Sequence, residues 1–287
     1  MVLAELERYR WTSAAADVPF LLGALGATSL TGPALVGLLV GLGKGESASR
    51  NLLTRMRDLG ALEAEPSGRT NIYRLARSST DRYREVEGTN AEAAWTGSFH
   101  ALLYDVPEAQ RTLRDRLQHA ARSAGYGQLR AGVLIAADDR WARMRLTEER
   151  FAGDAWIHRV TVTPPYLQEA RAMARTAWDL DGLDGRYQRA LDACGAVPAT
   201  VAADWAALRS WRELYDVFFL AQLEDPHLPA ELLPASWPAA RFAAAQAHVN
   251  ARIGTALLPF LRADADAHDA VGGNSYYPPP WFEGPGE

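Results

Sequence analysis

Apolar residues recur at helical spacing through the first sixty residues, and short polar or glycine-containing stretches separate the runs. Residues 17–25 predict a first helix with an apolar side. The sequence TSLTGP at residues 28–33 predicts a turn, and the leucines after it predict a second helix that ends at the GKG of residues 43–45. Residues 46–59 predict a third, amphipathic helix, with Gly60 as its left-handed cap.

Two short alternating segments follow the third helix. Residues 61–65 (ALEAE) and 71–75 (NIYRL) alternate like strands, and residues 66–70 (PSGRT) between them predict a turn with a basic tip. Two helices joined by a glycine-containing turn, followed by a hairpin, are typical of a winged helix-turn-helix. The sequence therefore predicts a DNA-binding domain over residues 1–90.

Charge sets this segment apart from the rest of the chain. Residues 44–84 hold nine basic and five acidic residues, a local charge of +4, whereas the whole chain carries −5. A basic patch on an acidic protein favours contact with double-stranded DNA. The alternative is a solvated helix face with no partner.

The predicted DNA contacts share short polar or cationic side chains on the third helix and the hairpin. Arginine can bond guanine edges and asparagine can bond adenine, while hydroxyls can hold phosphates and an arginine at the wing tip can reach the minor groove. The predicted set is Ser47, Ser49, Arg50, Asn51, Thr54, Arg55, Arg57, Arg69 and Thr70.

The middle of the chain alternates between strand and helix patterns. Residues 99–104 predict a strand, Asp105 or the next residue caps the following helix, and residues 132–136 and 156–162 predict two more strands. This order is that of a ferredoxin-like α+β domain, assigned to residues 91–165. Such sheets often pair with a copy of themselves, so the domain is expected to mediate homodimer formation.

The last third reads as helices over residues 165–178, 182–194, 201–223 and 236–262. These predict a helical C-terminal domain over residues 166–263. The acidic, then Gly/Pro-rich tail, residues 264–287, is expected to be a loosely ordered arm. The fold class is therefore α+β multidomain.

Composition argues against disulfides, a metal site and membrane insertion. The single Cys194 permits no internal disulfide, which fits a cytoplasmic protein. The six histidines are scattered, so no zinc site and no cofactor are expected. Residues 18–43 carry no charge and are long enough to cross a bilayer, but the predicted turn at their centre favours two short helices and no membrane insertion.

Four sequence blocks resemble the PaaX family of transcriptional regulators. The first joins VPFLLGALG (residues 18–26) to SRNLLTRMRDLGALEAEPSGRTNIYRL (residues 49–75). The others are WTGSFHALLYDVPEAQRTLRDRLQHAARSAGYGQLRAGVLIA (residues 95–136), AWDLDGLDGRYQRAL (residues 177–191) and LEDPHLPAELLPASWPAAR (residues 223–241). Their order covers almost the whole chain, and the last block is the most specific.

The resemblance implies a winged helix, a central ferredoxin-like domain and a helical C-terminal domain. It also implies a dimeric repressor that a small acyl-CoA releases from DNA; phenylacetyl-CoA is the ligand of the best-known members. The family's recognition-helix pattern falls on Arg50 and Arg55, and its wing on Gly68, Arg69 and Tyr73. The family wing commonly has paired arginines where this chain reads GRTN, so a weaker wing contact is expected.

An acyl-CoA effector would need an apolar slot and arginines for its phosphates. The candidate effector arginines are Arg130, Arg140, Arg143, Arg145 and Arg159.

No enzyme is predicted, although two other classes of function stay open. Asp105 lies where small CRISPR-adaptation nucleases place a catalytic aspartate, with Asp138 and Asp139 as further candidate metal ligands. A protein-interaction module that uses the winged helix is the third class.

Overall fold

The structure is a computed structural model that describes residues 13–77, 94–144, 146, 151, 153–223 and 225–279. These residues form an α+β fold with two antiparallel, four-stranded sheets. The chain divides into two compact units. The first comprises Met1–Glu87, Arg189–Leu220 and Ala240–Glu287, and the second comprises Gly88–Gln188 and Ala221–Ala239.

The helices of the described residues are α1 (Ser13–Leu25), α2 (Gly32–Gly41), α3 (Glu46–Asp58), α4 (Arg111–Ser123), α5 (Leu167–Ala177), α6 (Leu180–Ala196), α7 (Trp205–Leu223) and α8 (Ala239–Ala267). The strands are β1 (Ala27–Thr31), β2 (Leu62–Ser67), β3 (Thr70–Leu75), β4 (Phe99–Asp105), β5 (Gly127–Arg130), β6 (Val133–Ala136), β7 (Trp156–Val162) and β8 (Ser275–Tyr276). The helices and strands predicted from periodicity are found within a few residues of their expected bounds.

The stretch TSLTGP is the first difference from prediction, because residues 27–31 form strand β1 and not a turn. Leu30 pairs with Tyr73 of β3, and Thr31 pairs with Ile72. Leu30 and Thr31 are fully buried. A five-residue strand between two helices is too short for alternation to identify it, and even the nearer of its two partner strands, β3, lies about forty residues away in the sequence.

Glycines end α2 and α3 in the same way. After α3, Gly60 has a φ of 70°, Gly60 N–H donates to Arg57 O and Ala61 N–H donates to Met56 O, both at 2.8 Å. After α2, Gly43 has a φ of 94° and the following Lys44 N–H donates to a carbonyl of α2. These are Schellman motifs, which favour glycine because a side chain is strained at positive φ.

The first sheet has the order β2-β3-β1-β8. Strands β2 and β3 form a hairpin whose two-residue loop is Gly68 and Arg69. Strand β8, from the end of the chain, pairs with β1 through Ala27 and Ser29. The sheet therefore joins the N-terminal helices to the C-terminal segment within one compact unit.

The predicted loose arm is largely ordered among the described residues. Helix α8 continues to Ala267, and Asp269 then accepts backbone N–H groups from Val271, Gly273 and Asn274. Arg262 donates to the carbonyls of Leu25 and Tyr277. These contacts hold residues 269–277 in place. Residues 280–287 of the predicted arm lie outside the described residues.

The second sheet has the order β5-β6-β4-β7, with every neighbouring pair antiparallel. Helix α4 covers one face through Leu117 and Ala121, and α5 covers the other through Ala170 and Ala174. The predicted strands are present. Strand β5 was not predicted because its four residues, GQLR, show no clear alternation.

Asp105 differs from its predicted role as a helix cap. It is the last residue of β4, and α4 begins only at Arg111, after a 3₁₀ turn at Glu108–Gln110. The residue at the N-cap of α4 is Gln110. The chain needs these additional residues because Pro107 has an extended backbone, with φ −55° and ψ 153°.

The two-unit division differs from the four segments predicted from the sequence. Residues of the predicted helical domain fall into both units, and the division lies inside α6, α7 and α8. The folding of each predicted segment, 1–90, 91–165, 166–263 and 264–287, as a separate domain stays a prediction. Within the described part of the chain, no helix has the length and apolarity required to cross a membrane.

Candidate nucleic-acid interface

Helix α3 has a buried face and an exposed face. The buried face holds Ser49, Leu52, Leu53 and Met56, which lie three or four residues apart and so stack on one side of the helix. The opposite side is polar and exposed to solvent. Ser47, Asn51 and Thr54 lie at its centre, and Arg50, Arg55 and Arg57 flank them.

Ser49 does not belong to the exposed face, contrary to its predicted role as a phosphate contact. Its side chain has no solvent exposure, and its Oγ donates to Gly45 O at 3.0 Å. Gly45 is the N-cap residue of α3. Ser49 therefore stabilises the first turn of the helix and is not available to a ligand.

Two of the α3 arginines are paired with carboxylates close by on the helix. Arg50 pairs with Glu46 one turn earlier, and Arg57 pairs with the adjacent Asp58. In both pairs the side chains are largely exposed. Exposed ion pairs contribute little to stability, so a phosphate or a base edge can compete with the carboxylate for either arginine.

Of the arginines in the predicted contact set, Arg55 and Arg69 form no such pair with a described residue. Arg55 lies on α3 and Arg69 lies at the tip of the β2–β3 hairpin. Within residues 13–77 and the other described ranges, neither side chain forms an ion pair. Their positive charges are therefore not compensated by a neighbouring carboxylate.

The hairpin packs against the start of α2. Thr70 is half-buried, and a Cβ added at Gly32 would lie 3.2 Å from Thr70 Oγ1 and 3.4 Å from the ring of Tyr73. Tyr73 is buried. Within the hairpin, Arg74 pairs with Glu65 across the two strands. Tyr73 is thus a core residue that fixes the hairpin, Thr70 is partly accessible, and Arg69 is fully accessible.

The turn before α3 holds a residue that the site prediction did not include. Lys44 is the only lysine among the 30 basic residues of the chain. Its Nζ lies 2.6 Å from Asp17 Oδ2, and the Asp17 side chain is almost completely buried. The second oxygen of Asp17 accepts from Arg212 Nε, also at 2.6 Å. The sequence signal was a single lysine, between two glycines, in a chain that otherwise uses arginine.

Arg140, a predicted effector residue, is a structural residue of the second unit. The residue is 6% exposed, and its guanidinium pairs with Asp138 and donates to the carbonyls of Gly125 and Pro226. It therefore holds the segment after β6 against the LEDPHLP block. Because the side chain is buried and bound to these protein groups, it is poorly accessible to a ligand phosphate, which argues against the predicted effector role of Arg140.

Asp225 and His227, on either side of Pro226, are also held by hydrogen bonds. Asp225 accepts from the hydroxyl of Tyr187 and from the backbone N–H of His227. Burial and the neighbouring Asp225 carboxylate raise the pKa of Tyr187 above its usual range. His227 has a φ of 49°, a conformation that a non-glycine residue adopts only when its surroundings enforce it.

Of the other candidate effector arginines, the three that the structure describes, Arg130, Arg143 and Arg159, are exposed. Arg159 donates to Asp139 at 3.0 Å, and Arg143 lies 3.8 Å from Asp138. The backbone N–H of Trp141 and the charge of Arg159 lower the pKa of Asp139, so this carboxylate stays ionised and balances Arg159. Arg130 lies on β5, and Arg145 lies outside the described residues.

Asp105 borders an open cavity of about 360 Å³ at the end of β4. The cavity is also lined by Arg114, Gln118, Gln128 and Tyr104, so its other polar side chains are a cation, two amides and a phenol. No group of three or more His, Cys, Asp or Glu side chains that could hold a metal ion occurs among the described residues. Asp138 and Asp139 are engaged with Arg140 and Arg159.

Comparison with known proteins identifies similar chains. Residues 92–174 match the family model described as the PaaX protein central Cas2-like domain. The chain is 27% identical over 241 residues to the transcriptional repressor PaaX of Escherichia coli (strain K12), covering 79% of this chain and 75% of the repressor.

Among solved structures, the chain resembles the uncharacterized protein Rv0674 from Mycobacterium tuberculosis, with a TM-score of 0.60 and 26% identity. The likeness covers 88% of this chain and 98% of that one. The central-domain match and the similarity to the repressor agree with the resemblance of the four sequence blocks to the PaaX family of transcriptional regulators.

Proposed function

We propose that the protein is a DNA-binding transcriptional repressor that reads double-stranded DNA with α3. The observation that carries this proposal is the exposed face of α3, where small polar residues are flanked by arginines. In this proposal α2 and α3 form a helix-turn-helix, and the β2–β3 hairpin is its wing. The E. coli relative is named as a transcriptional repressor.

The side chains of α3 suit a major groove. Asn51, at the centre of the exposed face, can pair with an adenine edge, and the flanking arginines can bond guanine edges or phosphates. Arg69 is placed to contact the backbone or minor groove beside the helix. Ser47 and Thr54 supply hydroxyls for phosphates. The interface therefore comprises the predicted contacts without Ser49, with Thr70 at its margin.

Substitution of the α3 arginines tests the proposal. Arg50→Ala combined with Arg55→Ala is expected to abolish binding to DNA from upstream of the protein's own gene, since both cations flank the reading face. Arg116→Ala combined with Arg122→Ala removes the same charge from α4 and is expected to leave binding unchanged. Unaltered DNA affinity in the folded α3 double variant would refute this site.

A homodimer formed through a ferredoxin-like central domain belongs to the same proposal. The strand order β5-β6-β4-β7 is the order of a ferredoxin-like sheet and supports this domain type. Dimerisation is inferred from the family resemblance. Light scattering after size-exclusion chromatography should give twice the 31.4 kDa chain mass; the mass of a single chain at micromolar concentration contradicts the dimer.

Release by an acyl-CoA effector also rests on the family resemblance. With Arg140 excluded, the candidate phosphate-binding arginines are Arg130, Arg143 and Arg159 of the described residues, together with Arg145. Phenylacetyl-CoA or another aryl-CoA is expected to dissociate the DNA complex. If a panel of acyl-CoAs neither binds the protein nor changes its DNA affinity, the effector proposal fails.

The nuclease alternative is not favoured. The carboxylates predicted as metal ligands are divided between the cavity at the end of β4 and the ion pairs with Arg140 and Arg159, and the relative is named as a repressor. Incubation with labelled nucleic acid and Mg²⁺ or Mn²⁺ tests it, because cleavage that Asp105→Ala abolishes would support an enzyme. A cytoplasmic location follows from the proposed role.

A further inference from the structure

The turn between α2 and α3 is fixed from outside by helix α7. Trp205, the first residue of α7, packs so closely on Gly41 that a Cβ there would lie 2.2 Å from the indole ring. One turn later, Arg209 donates to Gly41 O at 2.8 Å. One further turn along α7, Arg212 reaches Asp17, which also binds Lys44 of the turn. Three successive turns of α7 therefore make contacts at or beside this short connection.

Asp17 and Arg212 form a buried ion pair, and the more exposed Lys44 and Asp216 extend it. Asp17 is 4% exposed and Arg212 is 6% exposed, and the carboxylate receives one cation on each oxygen. Arg212 also pairs with Asp216 on its own helix, and its guanidinium lies over the rings of Phe20 and Tyr215. A buried charge without a partner is costly, so Asp17, Arg212 and Lys44 hold one another in a single geometry.

Lys44 connects this buried network to the turn. It follows the left-handed Gly43 that ends α2 and precedes the N-cap residue of α3 by one position. Its side chain is only 28% exposed, and its ammonium group lies against Asp17. A movement of Lys44 would therefore shift the starting point and the axis of α3.

We propose that Lys44, held by the Asp17–Arg212 pair of α1 and α7, is a positioning residue that sets the orientation of α3 on DNA, and is not a phosphate contact. This inference rests on the proposed function of α3. It assigns a role in DNA recognition to α7, a helix that begins almost 150 residues after α3 ends. Arg209, which binds the carbonyl at the end of α2, is the second positioning residue.

Salt-dependent binding separates positioning from phosphate contact. Each phosphate contact adds about one unit to the slope of log affinity against log salt. Lys44→Met is expected to lower affinity for the specific duplex about tenfold, comparable with the loss of one base contact. Affinity for a scrambled duplex and the salt slope should stay unchanged. Lys44→Arg should restore much of the specific affinity, because it keeps a cation beside Asp17.

The control is Arg175→Met, which removes the same charge from the exposed surface of α5. This variant should change neither the affinity for the specific duplex nor the salt slope. A fall of about one in the salt slope for Lys44→Met, with equal losses on both duplexes, would show a phosphate contact and overturn the proposal. If Lys44→Met does not fold, Arg209→Gln provides the same test without a change to the buried charges.

Hydrogen exchange gives a readout that does not require DNA binding. Backbone amides of residues 44–58 should exchange faster in Lys44→Met than in the wild type, whereas amides of β4 and β6 should not. If the wild type binds both duplexes equally, the proposed function fails while the exchange result still decides whether Lys44 holds α3. Unchanged exchange in α3 would contradict the positioning role.

Discussion

At the scale of single residues, a buried ion pair joins two helices inside the first unit. Asp17 and Arg212 come from helices almost two hundred residues apart, and both side chains are nearly inaccessible. Neither was singled out from the sequence, because no pattern indicates which charged residues will meet inside the fold. Their partners Lys44 and Asp216 complete the charge balance.

Replacement of Arg212 by methionine is expected to lower the free energy of unfolding by about 3–5 kcal/mol, because it leaves buried carboxylate charge without its main cation. Arg57→Met serves as the control, since Arg57 pairs with Asp58 on the exposed surface and should have little effect. Urea denaturation measures the free energy of unfolding of both variants. Equal, small losses in the two variants would show that the Asp17–Arg212 pair does not hold the unit together.

Asp269 links stability to pH. Burial disfavours its charged form, but backbone N–H groups of Asn274, Gly273 and Val271 donate to the carboxylate and lower its pKa overall. A carboxyl with a lowered folded-state pKa stabilises the protein above its ordinary pKa of about 4 and loses that contribution as the pH falls.

The stability difference between wild type and Asp269→Asn is therefore expected to be present at pH 7 and to shrink below about pH 4. Thermal melts across this range measure it, and Asp154→Asn, at an exposed position of the second unit, is the control. A difference between the wild type and Asp269→Asn that grows toward low pH would contradict the assignment.

At the scale of elements, the C-terminal segment completes the first sheet. Gly26 adopts a φ of 59°, Tyr277 N–H donates to its carbonyl, and an added Cβ would lie 2.3 Å from Tyr277 O. The position thus requires glycine both for its backbone conformation and for the close approach of the segment that leads out of β8.

Gly26→Ala is expected to destabilise the protein, by about 1–2 kcal/mol from the left-handed conformation alone and further through displacement of β8. Gly23→Ala is the matched control, because Gly23 is exposed in α1 with no atom near an added Cβ and should gain about 0.5–1 kcal/mol. Differential scanning calorimetry compares them, and a stabilised Gly26→Ala would contradict this packing.

The elements that could be predicted are those whose signal lies within one stretch of sequence. Helix α3 and the β2–β3 hairpin have strong periodicity and glycine-containing ends. The contact residues of α3 could therefore be predicted from the sequence as exposed, and only Ser49 proved to be buried. Strands β1, β5 and β8 have two to five residues. Since β8 pairs with a strand nearly 250 residues earlier, neither local propensity nor spacing could locate it.

At the scale of the whole molecule, sequence order was an incomplete guide to which parts pack together. The first unit combines the N-terminal helices and hairpin with parts of α6, α7 and α8. The family resemblance covers nearly the whole chain, and a family model of the PaaX central domain matches residues 92–174. It did not indicate that α7 packs against the turn before α3, because that contact depends on individual side chains.

The most direct test of DNA recognition by the protein is fluorescence anisotropy with two labelled duplexes, one from upstream of its own gene and one scrambled, at several salt concentrations. We expect a preference of about 10³-fold or more for the upstream duplex, and log affinity that falls steeply with log salt through several phosphate contacts. Weak, equal binding to both duplexes, without a salt dependence, would contradict the assignment of α3 as a DNA-reading helix.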